Sequence, residues 1–205
     1  MARWDPNARE RLERAALELF VRQGYDRTTV AEIAERAGLA KSTFFRHFAD
    51  KREVLSGGDT LARLLTDAVA AAPPAAGPRQ AAEAALAAVG ARAFTAERHE
   101  TVRERQQVVA ANPELTEREL LKREALAAAL TAALRERGVP DPAAGLTAEL
   151  TLLALRTALA RWAARPGQDF TALALAELTG LCEAAAALRG DPCAPPSPTS
   201  ANTTP

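Results

Sequence analysis

At 205 residues, 48% hydrophobic and 25% charged, the chain has the make-up of a soluble globular protein, with room for a small domain beside a larger one, and not that of a fibrous or disordered one. Aromatics are 4% and alanine is abundant, which points to an all-α fold. Net charge is zero, and residues 1–55 hold 11 Lys and Arg against 9 Asp and Glu, an asymmetry too slight to announce a polyanionic partner.

Other features exclude several classes. Cys182 and Cys193 make neither a disulfide framework nor a metal spacing. Cys182 falls in an apolar helical pattern and reads as a small core residue. No uninterrupted apolar run reaches the roughly 18 residues of a membrane span. Asp5, Glu10 and Glu13 make the start unlike a secretory leader. The expectation is a cytoplasmic protein with no cofactor, no metal and no membrane partner.

In chain order, Asp5-Pro6 is a good helix start, with Asp as N-cap and Pro at the first helical position. Leu12, Ala15, Ala16, Leu19 and Phe20 then form one apolar stripe, and Gly24 stops the helix. Thr29 and Glu32 are spaced as a capping box, in which each satisfies a free amide of the other. Ile33, Ala34 and Ala37 are the buried side of the second helix, which Gly38 ends after about two turns. A third short helix, Lys41 to Phe48, follows almost at once. Asp50 and Glu53 offer another acidic cap, so a fourth helix is expected to start there, weakened or bent at Gly57-Gly58 and resuming at Leu61, Leu64, Leu65 and Val69.

Pro73-Pro74 and Gly77-Pro78 suggest a break between packing units. Helices are then expected at about 79–94, 98–111, 113–137, 142–165 and 168–189. From Gly190 the chain is Pro, Ser, Thr, Ala and Asn without periodicity, and it reads as a disordered tail over 190–205.

Two short helices around a Gly turn, behind a longer helix, form a helix-turn-helix. The first turn of the third helix carries Lys41, Ser42 and Thr43, and the N-terminal end of such a helix is the part that reaches base edges. Arg46, His47, Lys51 and Arg52 lie where phosphates would pass. Phe44 and Phe48, four apart, should pin the helix to the first one, while Phe45 lies on another face. Taken singly, each of these charges also fits a solvated helix face. The ordered series of cap, Gly turn, basic helix and acidic cap makes the case.

The stretch from Thr29 to Phe48, with Asp50-Lys51 after it and Ala16–Phe20 and Gly24-Tyr25 before it, resembles the TetR/AcrR family of transcriptional regulators. The resemblance spans 6–66 and implies an all-α homodimer: an N-terminal three-helix DNA-binding domain, then a helical effector-binding and dimerisation bundle over 67–189, about nine helices in total. It implies a repressor that binds double-stranded operator DNA and is released by a small molecule. It implies that Thr29 caps the second helix at a phosphate, that Lys41, Ser42 and Thr43 approach bases, and that Phe45, His47 and Lys51 contact the backbone. Two positions depart from the family pattern. Ala40 stands where Ser is common, so a side-chain cap is lost at a cost of about 1 kcal/mol. Phe45 stands where Tyr is common and has no hydroxyl for a phosphate.

Beyond residue 66 the resemblance is looser. Arg103 to Leu115 and the helix after it look like an alanine-rich actinobacterial branch that includes regulators similar to the mycofactocin-system regulator. Leu146, Leu150, Leu153, Thr157 and Trp162 mark one side of the penultimate helix, and Phe170, Leu173, Leu178, Leu181, Cys182 and Leu188 run along the last. Paired across two chains, these helices would build a four-helix dimer interface. They also suit an intramolecular core. Polar residues on mostly apolar helices mark candidate effector contacts: Arg92, His99, Gln106, Thr151, Arg156 and Thr157. They suit a largely apolar, acyl-like ligand with one polar head.

An enzyme is not expected, since the chain has no Gly-rich phosphate loop, metal-ligand spacing or nucleophile elbow. The competing reading is a helical protein-interaction scaffold without sequence-specific DNA binding.

Overall fold

The computed structural model describes residues 7–55 and 60–188. Among these residues there are nine α-helices, two short 3-10 turns and no strand, which is the all-α class expected. The helices are α1 (Ala8–Gln23), α2 (Val30–Arg36), α3 (Lys41–His47), α4 (Thr60–Ala71), α5 (Pro78–Ala93), α6 (His99–Ala110), α7 (Pro113–Glu136), α8 (Asp141–Ala164) and α9 (Phe170–Ala187). Their bounds follow the chain's punctuation. Pro78 and Pro113 open α5 and α7, where a missing N–H costs nothing. Asp169 caps α9 by accepting from the Ala172 amide at 2.7 Å.

Two starts differ from expectation. α1 begins at Ala8 behind Asn7, which makes no side-chain cap bond; Asp5 and Pro6 lie outside the described residues. After Asp50 the cap does form, with the Glu53 amide donating to Asp50 Oδ1 at 3.0 Å. The described residues it opens are the 3-10 turn Glu53–Leu55, and α4 is described from Thr60 onward. The Gly57-Gly58 bend, Cys193 and the tail over 190–205 also lie outside the described residues.

Among the described residues there are two hydrophobic cores. The first joins Leu12, Leu19 and Phe20 of α1 to Ile33, Phe44, Phe48, Val54 and Leu55. It is sealed by three residues from further along, Val108 and Val109 of α6 and Leu115 of α7. The second gathers α4, α5, α7, α8 and α9 around Leu86, Leu130, Leu134 and Trp162. Leu65 and Val69 of α4, on either side of the expected division at 66/67, both belong to this second core. The Pro73-Pro74 stretch is a tied turn: the Arg137 guanidinium donates to Ala72 O at 2.8 Å and to Pro73 O at 2.7 Å.

A polar seam also joins the units. Arg105 Nε donates to Leu55 O at 2.7 Å, and the same guanidinium pairs with Glu119. Beside it, burial pulls the Lys122 ammonium below its ordinary range, against the pull of Glu119.

Alanine lets these helices pack closely, and Gly90 marks the tightest approach. A Cβ there would lie 2.1 Å from Thr171 Oγ1 and 3.2 Å from Phe170 Cδ1. In an exposed helix Gly→Ala adds about 1 kcal/mol of stability. Here the sign reverses: Gly90→Ala should lower stability by about 1–3 kcal/mol through overpacking. Urea melts of Gly90→Ala and of Gly90→Ala with Thr171→Ala test this, and the second should recover part of the loss.

By length and composition α8 and α9 could each cross a membrane. α8 is, however, packed on α5, α6, α7 and α9. Trp162, Phe170 and Leu178 turn inward, at 1%, 2% and 2% exposure, and so drop out of the outward stripes drawn for a dimer. Leu146 and Leu188 stay exposed, at 53% and 75%. Leu153, Leu181 and Cys182 are half-buried.

Candidate nucleic-acid interface

The turn between α1 and α2 ends in the capping box expected. The Glu32 amide donates to Thr29 Oγ1 at 3.3 Å, and the Thr29 amide donates to Glu32 Oε2 at 2.8 Å. The Thr29 amide, and after it the Thr29 hydroxyl donating to the same Oε2 at 2.8 Å, hold the Glu32 carboxyl below its usual range. With Thr29 exposed, the start of α2 faces solvent with its amides ordered.

α2 ends at Ala37, and Gly38 takes φ +66°, the left-handed conformation that lets the chain reverse into α3. Ala40 makes no side-chain cap, as its identity requires. α3 is seated by Phe44 and Phe48, at 0% and 1% exposure and with ring centroids 5.2 Å apart. Lys41, Ser42, Phe45 and Arg46 are left exposed, and Thr43 half-buried, on the outer side. Lys41 Nζ stands 6.0 Å from the Phe45 ring centroid, so the base-facing and backbone-facing candidates form one patch.

His47 and Lys51 sit differently. Among the described residues His47 Nε2 is buried without a partner. Desolvation, then Arg46 and Arg9, lower the His47 pKa from 6.5. On acidification the unfolded chain therefore takes up this proton before the folded one, and stability falls as pH drops below about 6.5. His47→Gln should lose less melting temperature than the parent between pH about 7 and about 5; parallel curves would assign the acid loss elsewhere.

The Lys51 ammonium is turned inward. It donates to Tyr25 O at 2.7 Å and Thr28 O at 3.0 Å, and lies 4.0 Å from the Tyr25 ring centroid. Burial, then Glu114, Asp50 and Asp26, push the Tyr25 hydroxyl up to about 12, so the phenol stays neutral under the cation. Lys51 thus holds the α1–α2 turn that presents Thr29. Sequence reasoning did not find these carbonyl partners, because nothing local signals groups more than 20 residues away. It also missed Arg9 and Arg11 of α1, which bond to backbone carbonyls around α3.

The effector candidates are spread over α5, α6 and α8. Arg92 and Arg156 are exposed, and Gln106 is half-buried. Thr151 and Thr157 donate to the carbonyls of Thr147 and Leu153 one turn back. His99 Nε2 is 2.9 Å from Trp162 O. A groove of about 460 Å³ opens elsewhere, between the end of α1 and α6, lined by Val21, Tyr25, Glu104 and Gln107 among others; none of the six candidates lines it.

Residues 13–56 match the bacterial regulatory proteins of the tetR family. This unit is similar to the TetR-type helix-turn-helix. The match covers α1 from Glu13 onward, α2, α3 and the 3-10 turn. The transcriptional regulator TcmR of Streptomyces glaucescens is 59% identical over 46 residues, 22% of this chain and 20% of its own length. The chain thus aligns with only about a fifth of that relative. Over the whole fold, the Thermus thermophilus TetR-family repressor FadR, solved with lauroyl-CoA, is 25% identical with a TM-score of 0.54, covering 85% of this chain and 93% of its own. A Pseudomonas aeruginosa regulator is 23% identical with a TM-score of 0.58, covering 92% and 96%. The bundle behind the TetR-type unit therefore has the fold of such regulators.

Proposed function

We propose that this chain is a DNA-binding transcriptional regulator of the TetR/AcrR type, acting in the cytoplasm as a homodimer that represses its genes until a small molecule releases it. The observation that carries the reading is α3: a short helix seated by two buried phenylalanines, with Lys41, Ser42 and Thr43 on its outer first turn and the TetR-type match across it. Thr29 orders the amides at the start of α2 for a phosphate. Phe45 and Arg46 extend the contact along the backbone, and His47 and Lys51 brace it.

The dimer rests on α9, whose Leu173, Leu175, Leu181 and Cys182 are only half-buried within the chain. An uncovered face of that kind marks an association surface, and with the outer side of α8 it suits a four-helix interface. Two-fold pairing would set recognition helices about 34–36 Å apart. The effector in this reading is acyl-like, in keeping with the lauroyl-CoA bound by the Thermus repressor, and Arg92, His99, Gln106, Thr151, Arg156 and Thr157 remain its candidate contacts. Kinship with the mycofactocin-regulator-like branch belongs to the same reading and rests on the stretch from Arg103 to Leu115.

The test is selection of bound duplexes from a random pool, then affinity measured against salt. The selected site should show two half-sites about one helical turn apart, with binding that weakens steeply as salt rises. Lys41→Ala with Thr43→Ala should cost the selected site about 1–3 kcal/mol per lost base contact, and random DNA far less. No enriched sequence would favour the protein-interaction scaffold. Light scattering at micromolar concentration should give twice the chain mass, and a thermal-shift series with acyl-thioesters should raise the melting temperature.

A further inference from the structure

We propose that Arg9 and Arg11 of α1 are positioning residues for the recognition helix, one holding the turn that leads into α3 and the other holding its far end. This rests on the reading of α3 as the DNA-reading element. Arg11 Nε and Nη2 donate to Ala37 O at 3.1 and 2.5 Å, and Nη2 reaches Gly38 O at 3.4 Å. Ala37 closes α2, so its carbonyl is among those left without an intrahelical partner, at the negative end of the helix dipole. Gly38 serves the same contact, since a Cβ there would come within 3.0 Å of Arg11 Nη2.

Arg9 does the equivalent for α3. Its Nη1 donates at 3.3 Å to the carbonyl of His47, the last residue of the helix, and its guanidinium carbon lies 4.6 Å from the Phe48 ring centroid. Glu13 braces it, accepting from Nε at 3.0 Å. Among the described residues Arg9 Nη2 is buried without a partner, a cost that an arginine kept only for charge would avoid by extending into solvent.

Both arginines bond to backbone, so their hold is indifferent to the side chains α3 displays. Residues 41–43 can therefore change while the frame stays. The hold is needed because α3 is seven residues long and has no side-chain cap of its own; isolated helices under about 12 residues are marginal. A tilt of so short a helix moves Lys41 and Thr43 off hydrogen-bonding distance from base edges.

The experiment uses the full chain and two readouts. The first is the ratio of affinity for the selected duplex to that for a random duplex. Arg9→Ala and Arg11→Ala should each lower this ratio about tenfold, the loss of a charged hydrogen-bond anchor. Arg11→Lys keeps the charge but offers an ammonium in place of a planar fork. It should keep random-duplex affinity while the ratio stays low, and it stands in if Arg11→Ala does not fold. The second readout is amide hydrogen exchange without DNA. Protection across residues 39–48 should fall in these variants while that of residues 12–20 holds. An unchanged ratio with unchanged protection overturns the proposal, and so does full recovery of the ratio in Arg11→Lys, which would leave only charge. A parent protein with no duplex preference, but with the exchange response intact, would overturn the DNA-reading function and leave the positioning in place.

Discussion

Phe44→Ala should detach the recognition helix and melt the first core ahead of the second. Phe44 is wholly buried and lies between the Phe48 ring at 5.2 Å and the Phe45 ring at 5.6 Å. Truncating a buried phenylalanine costs about 3–5 kcal/mol, the lost burial plus the cavity left behind. The first core is the smaller, and three of its residues, Val108, Val109 and Leu115, are borrowed from α6 and α7, so it has little from which to refill the gap. The second core shares none of these groups. Calorimetry of the variant should therefore resolve two transitions, the lower one carrying the DNA-binding unit. Most helical circular dichroism should survive between them, since α4 to α9 hold most of the helix. Affinity for a selected duplex should disappear across that interval. A single transition within about 0.5 kcal/mol of the parent, the range of an ordinary surface change, would mean that the arginines alone seat α3.

How far the sequence carried depended on how local each cause was. The Thr29–Glu32 box, the Gly38 turn, the missing cap at Ala40 and the seating of Phe44 and Phe48 all arise within one or two helical turns, and each is found where the residue order puts it. Helix ends set by Pro and Gly were equally legible. The roles of Arg9, Arg11 and Lys51 were not, because each bonds to carbonyls brought near only by the fold. Their residue type says that they can donate and not to what.

The core that α4 joins was hidden for a related reason. The stripe of α4 declares a helix with one buried face, but periodicity does not say which core it joins, and α4 joins the second. The faces of α8 and α9 were hard to tell apart because both helices are apolar nearly all round. Where alanine and leucine occupy most positions, inner and outer sides differ in contact and hardly in composition. Trp162 is the plain example, read as part of an outward stripe and found at 1% exposure.

That burial makes Trp162 the residue whose loss should cost the second core most. Its indole packs edge-on against Phe94, Phe170 and His99, with centroids at 5.9, 6.0 and 4.6 Å. Its Nε1 donates to Gln168 O at 3.0 Å, and its own carbonyl lies 2.9 Å from His99 Nε2. One side chain thus joins the end of α5, the start of α6, the end of α8 and the turn into α9. Trp162→Ala should lose about 3–5 kcal/mol. Trp162→Phe keeps a ring but leaves the Gln168 carbonyl without its donor, for about 1–3 kcal/mol. The two variants also separate packing from assembly. Phe170 opens α9 directly against this ring, so Trp162→Ala should loosen α9 and with it the proposed dimer face, while Trp162→Phe should leave the mass in solution unchanged. Sedimentation equilibrium across a concentration series, run beside urea melts, reads both. If Trp162→Ala loses stability and still assembles as tightly as the parent, the dimer face does not depend on how α9 is seated at its start.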